Sequence, residues 1–194
     1  MQRQIVRPTR RFLAAVTAAA VVALLVGTLT AGANANDGSA KAVLWNAAGA
    51  KVGVVHFTQK GGAVLVKAKV EGLTAGFHGF HVHALGVCTP PPFTSAGGHY
   101  NPTSQTHRSH AGDMPVLLVN ADGTGDARFK TDRFSVAAVI GRAVIVHADA
   151  DNYANIPARY HSHTEDVLGP DSATLATGDA GARASCGVIV SSDD

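Results

Sequence analysis

The 194-residue sequence predicts an all-β domain, an antiparallel sandwich or barrel of about eight strands that carries two long loops. Three observations predict it. Short runs rich in Val, Ile, Phe and Leu recur along the chain. Gly and Asn turn signals separate them at near-regular spacing. Beyond the N-terminal segment, no stretch shows a convincing apolar period of 3.6 residues.

The runs cover residues 42–45, 52–57, 63–70, 79–83, 115–119, 125–130, 142–147 and 186–190. Gly49 and the pair Gly61-Gly62 punctuate the first three as hairpin turns do, and Asn120-Ala121-Asp122-Gly123 joins the fifth to the sixth. Two connections, residues 84–114 and 149–184, are too long for bare turns and are rich in Gly, Pro, His and Asp. Loops of that length in a compact domain are usually functional or disordered. The histidines mark these two.

Composition narrows the function. Apolar residues at 46% and charged residues at 15% exclude disorder over most of the length. A formal charge of +2, with no Lys/Arg-rich run after the first dozen residues, speaks against a nucleic-acid binder. Two cysteines are too few for zinc fingers or iron–sulfur cages.

The N-terminus reads as an export signal. Arg3, Arg7, Arg10 and Arg11 stand with no acid among them, an apolar run follows over residues 12–29, and Ala33-Asn34-Ala35 has the small-x-small pattern of a cleavage site. A secretory signal peptide is therefore expected over residues 1–35, cut after Ala35, with one domain over residues 36–194. Attachment to a membrane is expected only if that segment stays uncut. Cleavage removes four of the sixteen basic residues and none of the fourteen acids, leaving twelve against fourteen, a net charge of −2. The expected compartment is exported: secreted, periplasmic or associated with the cell envelope. There Cys88 and Cys186 are most simply one disulfide, two free thiols being the alternative.

Ten histidines are an excess, and six of them fall between His78 and His110. In Gly79-Phe80-His81-Val82-His83, alternation along a strand puts His81 and His83 on one face and Phe80 and Val82 on the other. His99 follows a Gly97-Gly98 pair, His107 stands eight residues on, and His110-Ala111-Gly112-Asp113 supplies an imidazole and a carboxylate three apart. His147 ends a strand at the mouth of the second loop. Three or four imidazoles suit copper, and three imidazoles with one carboxylate suit zinc.

These motifs, with Gly98-His99-Tyr100-Asn101-Pro102 and the segment from Gly178 to Ile189, resemble the copper/zinc superoxide dismutases of the exported bacterial type, over essentially the whole mature chain. The resemblance implies an eight-stranded antiparallel Greek-key barrel or sandwich, immunoglobulin-like in architecture, with the metals on its outer side. It implies superoxide disproportionation by Cu(II)/Cu(I) cycling, an antioxidant activity. One copper per subunit would be held by His81, His83, His99 and His147. One zinc would be held by His99, His107, His110 and Asp113, with His99 bridging the two. Asp151 would link a copper histidine to a zinc histidine, and Cys88 would pair with Cys186. Arg183 would guide superoxide and, with His99, form the catalytic pair; Thr177 would face Arg183 across the channel. His78 would be a structural histidine bonded to backbone.

The resemblance departs at one point. Only Arg108 and Ser109 separate His107 from His110, where the family usually places several more residues, so the zinc loop must take a different path. His56 reads as a surface residue, and His161 and His163, a second His-x-His pair, match no family ligand. The competing reading is a catalytically silent copper-binding or copper-delivery module on the same fold, which should lack a copper ligand or the channel arginine. A homodimer and a monomer both fit the sequence.

Overall fold

The computed structural model describes residues 38–192, so the expected signal segment lies outside the described residues. Seven strands form one curled antiparallel sheet. In chain order they are β1 (Ser39–Asn46), β2 (Lys51–Lys60), β3 (Ala63–Val70), β5 (Phe80–His83), β7 (Gly125–Thr131), β8 (Ala143–His147) and β11 (Arg183–Ser191), and in space they run β5-β8-β11-β1-β2-β3-β7. Two short ribbons complete the fold, β4 (Gly76–His78) with β6 (Leu117–Val119), and β9 (His161–Ser162) with β10 (Val167–Leu168). All eight expected strands are present. The expected strand over 79–83 is β5, and residues 76–78, just before it, form the further short strand β4 that pairs with β6.

Alternation drives the packing. Along β3, Val64, Val66, Ala68 and Val70 are buried while Lys67 and Lys69 are exposed. They join Ala42 and Leu44 of β1, Val55 and Phe57 of β2, and Phe80 and Val82 of β5 in one core. Strand β8 is buried on both faces. Its Val144 and Val146 enter that core, while Ala143 and Ile145 pack with Phe93, Ala96 and Cys186 in a second cluster on the outer side. That outer side is covered by the loop after β5. Two helices too short to impose a period on the sequence also form, α1 (Val136–Val139) and α2 (Ser172–Thr177), capped by the Ser135 and Asp171 side chains.

Candidate metal centre

Strand pairing assembles the site. His81 lies opposite Ile145 and His83 opposite Ala143, so both imidazoles share the outer face with that second cluster, and Phe80 and Val82 face the core. Isolated bridges then set His99 against His83 and Asp113 against His81. Arg183 lies directly across from His147. The result is two groups of donors with one member in common. His81, His83, His99 and His147 form the first, and His99, His107, His110 and Asp113 the second, with the ligand atoms of each within 4.8 Å of one another.

Second partners decide which nitrogen each ring offers. His83 donates Nδ1–H to the Gly97 carbonyl at 2.9 Å, and His147 donates Nδ1–H to the Gly181 carbonyl at 3.2 Å. Their Nε2 atoms therefore converge, 3.3 Å apart. His81 uses Nε2 on Asp151 Oδ2 at 2.7 Å, and His107 uses Nε2 on Asp151 Oδ1 at 2.8 Å. Asp151 thus ties a ring of the first group to a ring of the second and orients both. His99 Nδ1 lies 2.9 Å from Asp113 Oδ1 and 3.3 Å from His110 Nδ1, which commits that nitrogen to the second group and leaves Nε2 for the first.

Two buried nitrogens make no hydrogen bond: His81 Nδ1, and His107 Nδ1, which lies 3.4 Å from Asp113 Oδ2 without forming one. An unsatisfied buried polar atom costs about 1–3 kcal/mol. Each belongs to a different group, and each is the nitrogen that Asp151 leaves over. A cation coordinated at both accounts for them, and the donor types match: four imidazoles for copper, three imidazoles and a carboxylate for zinc. The short His107–His110 spacing does not prevent convergence. Arg108 takes a left-handed φ of 70°, and the two rings close to 5.4 Å between centroids.

Protonation follows burial. Desolvation lowers His81 to about 4, despite its bond to Asp151, and lowers His147 to about 3. Burial, then the nearby His99, pushes His83 well below its ordinary value. Asp113 and Asp151 are held well below the carboxylate range: burial opposes this, but the His107 ring nearby and the bond from His99 for the one, and bonds from His107 and His81 for the other, prevail. His107 runs the other way. Burial lowers it most, yet Asp113 and Asp151 together raise it to about 9.

A pH dependence follows for metal-free protein. Between pH 6.5 and about 4 the unfolded chain protonates histidines that the folded chain keeps neutral, so stability rises with pH over that window. His107 adds no slope in this window, since its contribution is complete below 6.5 and fades only as pH rises through about 9. The urea midpoint of chelator-treated protein should therefore fall as pH is lowered from 6.5 to 4. A flat profile there would contradict the buried neutral rings.

Beside the first group opens a channel of about 480 Å³, lined by His83, His99, His147, Thr177, Asp179 and Arg183. Arg183 donates Nη1–H to the Phe93 carbonyl and Nη2–H to the Gly97 carbonyl, each at 2.6 Å. The disulfide joins Cys88 to Cys186, as expected. His78 Nδ1 and Nε2 face the His147 and Thr74 backbone carbonyls at 2.7 and 2.8 Å, and His78 takes no part in either donor group.

The sequence reading missed the backbone partners. Gly97 supplies one carbonyl to both His83 and Arg183, and no side chain announces that. Gly178 was equally silent: it adopts φ 63°, and a Cβ there would collide with Asp151 Oδ1 and His107 Nε2. Gly178→Ala is expected to cost about 1–2 kcal/mol for the left-handed backbone and to weaken zinc binding ten- to a hundredfold by displacing Asp151. Isothermal titration of the metal-free variant with zinc would measure it, and affinity equal to the parent would refute the contact.

A β-sheet domain with two adjoining donor groups that share one imidazole defines a dinuclear metalloprotein. The family model for copper/zinc superoxide dismutase matches residues 51–189. Superoxide dismutase (Cu-Zn) of Mycolicibacterium paratuberculosis is 40% identical over 157 residues, covering 73% of this chain and 69% of that protein. The Mycobacterium tuberculosis protein of the same name is 39% identical over 157 residues, 73% of this chain and 65% of its own length. The chain thus spans about two thirds of the length of these relatives. Among solved structures, one described as the clock protein EA4 superposes with a TM-score of 0.64 at 29% identity, over 80% of this chain and 95% of that one. The chain belongs to the copper/zinc superoxide dismutase family.

Proposed function

We propose that the protein disproportionates superoxide, two superoxide ions and two protons giving dioxygen and hydrogen peroxide. In this reading copper is held by His81, His83, His99 and His147, and zinc by His99, His107, His110 and Asp113, one of each per subunit. The observation that carries it is the sharing of His99 between the two donor groups. Bound copper supplies one-electron cycling between Cu(II) and Cu(I), which zinc cannot do.

The chain's own residues do the rest. His99 carries a proton on Nε2 in one half of the cycle and releases it in the other, while Nδ1 stays engaged on the Asp113 and His110 side. Asp151 fixes the tautomers of His81 and His107, so neither ring must reorganise. Arg183 offers a permanent cation in the channel wall, which Thr177 also lines. A silent module should lack a copper ligand or the channel arginine; here the full first donor group and Arg183 are both present.

We also place the working protein outside the cytoplasm, as residues 36–194 after loss of residues 1–35. A disulfide between cysteines 98 residues apart supports an oxidising compartment. The decisive experiment is superoxide consumption by the purified mature protein with and without copper loading, paired with metal analysis. Activity that appears on copper loading, with about one zinc bound, is expected. Inactivity at full copper loading would favour the silent module.

A further inference from the structure

The second His-x-His pair belongs to neither donor group and lies on the β9–β10 hairpin. There Ser162 pairs with Val167 and His161 with Leu168. His161 and His163, two apart along the chain, project from one face, and their rings meet edge to face with centroids 4.9 Å apart at 80°. That is the arrangement of imidazole pairs inside the buried centre, where His83–His99 and His81–His147 each stand at 4.9 Å with angles of 68° and 64°. No core packing explains it, because both rings are exposed.

Across the hairpin, His161 Nε2 lies 2.8 Å from Asp166 Oδ1. With a carboxylate accepting there, Nε2 carries the proton and Nδ1 keeps its lone pair. This is the same device by which Asp151 prepares His81 and His107. The hairpin is also held in place. Ser162 Oγ donates to Asp171 Oδ2 at 2.6 Å, and Glu165 accepts from the backbone N–H of Ser172 at 2.9 Å as well as from its hydroxyl. Asp171 in turn caps α2, so the two rings stand on a fixed base.

From this we propose that His161 and His163 form a separate, solvent-exposed Cu(II) site, with Asp166 as the partner that fixes the His161 tautomer. Two imidazole nitrogens with water completing a tetragonal set suit Cu(II) above the other divalent first-row ions. The donors do not converge as closely as in the buried groups, since the trio is not among the clusters whose ligand atoms all fall within 4.8 Å. The site is accordingly open and exchangeable. It is independent of the superoxide reading and survives that reading's failure.

Equilibrium dialysis tests it on the full mature protein already loaded with copper and zinc, against micromolar Cu(II). The parent should hold about one copper beyond the buried one, removable by a mild chelator, and that extra copper should add a second Cu(II) electron paramagnetic resonance signal to that of the buried one. The double variant His161→Ala/His163→Ala should lose that copper and signal while keeping the buried metals and superoxide turnover. Asp166→Asn should weaken the extra copper ten- to a hundredfold. Equal copper retention by the parent and the double variant, or no additional copper on the parent, would overturn the proposal.

Discussion

Replacing Arg183 with alanine is expected to lower kcat/KM for superoxide ten- to a thousandfold while leaving copper bound, and to flatten the dependence of that rate on ionic strength. The range is that of electrostatic focusing in a charged cleft. Arg183 stands beside His147 across β8 and β11, lines the channel, and is close enough that its charge depresses the basicity of both His83 and His147. Its two terminal amino groups are spent on the Phe93 and Gly97 carbonyls, which hold the planar cation in one orientation. Salt screens such a field over about 8–10 Å, so the parent should slow as salt rises and the variant should not. Arg183→Lys should fall between the two, since it keeps the charge and loses the fork. Pulse radiolysis across a salt series measures all three. Unchanged kcat/KM in Arg183→Ala would remove the guidance role.

Breaking the Cys88–Cys186 bond is expected to cost about 4–5 kcal/mol of folding stability, the chain-entropy value for a loop of this size. The sequence separation is 98 residues. A second loss should accompany it. Cys186 is three residues past Arg183 on β11, while Phe93 and Gly97, which hold the guanidinium, lie just beyond Cys88. The bond therefore clamps the arginine's strand to its acceptors, and Phe93 and Ala96 pack against the disulfide side of β8. Cys88→Ser/Cys186→Ser protein should unfold at lower urea and show reduced kcat/KM with copper retained. A stability change under about 1 kcal/mol, against the 2–5 typical of native disulfides, would show that packing alone holds the segment.

Much of this was legible in the residues because strand periodicity is local. Val66, Ala68 and Val70 alternate with Lys67 and Lys69, and that pattern assigns the second half of β3 its inner face. The same rule placed His81 and His83 on one face and Phe80 and Val82 on the other, as the structure bears out. Gly79 shows where local reading stops. The strand predicted from residue 79 onward pairs with β8, but residues 76–78 before it, which carried no strand signal, pair with β6.

The sequence by itself determined the strand-rich class, the donor types and the pair of long loops, because these depend on residue chemistry and spacing within a few positions. Only the tertiary structure decided which nitrogen each imidazole presents, since Gly97, Gly181 and Asp151 come from segments 14 to 70 residues away and take up the other nitrogen. It likewise decided that His107 and His110 converge across a two-residue gap, through one left-handed arginine. The pairing of His161 with His163 and Asp166 also belongs to the fold. A His-x-His in a loop has no fixed face until a hairpin supplies one.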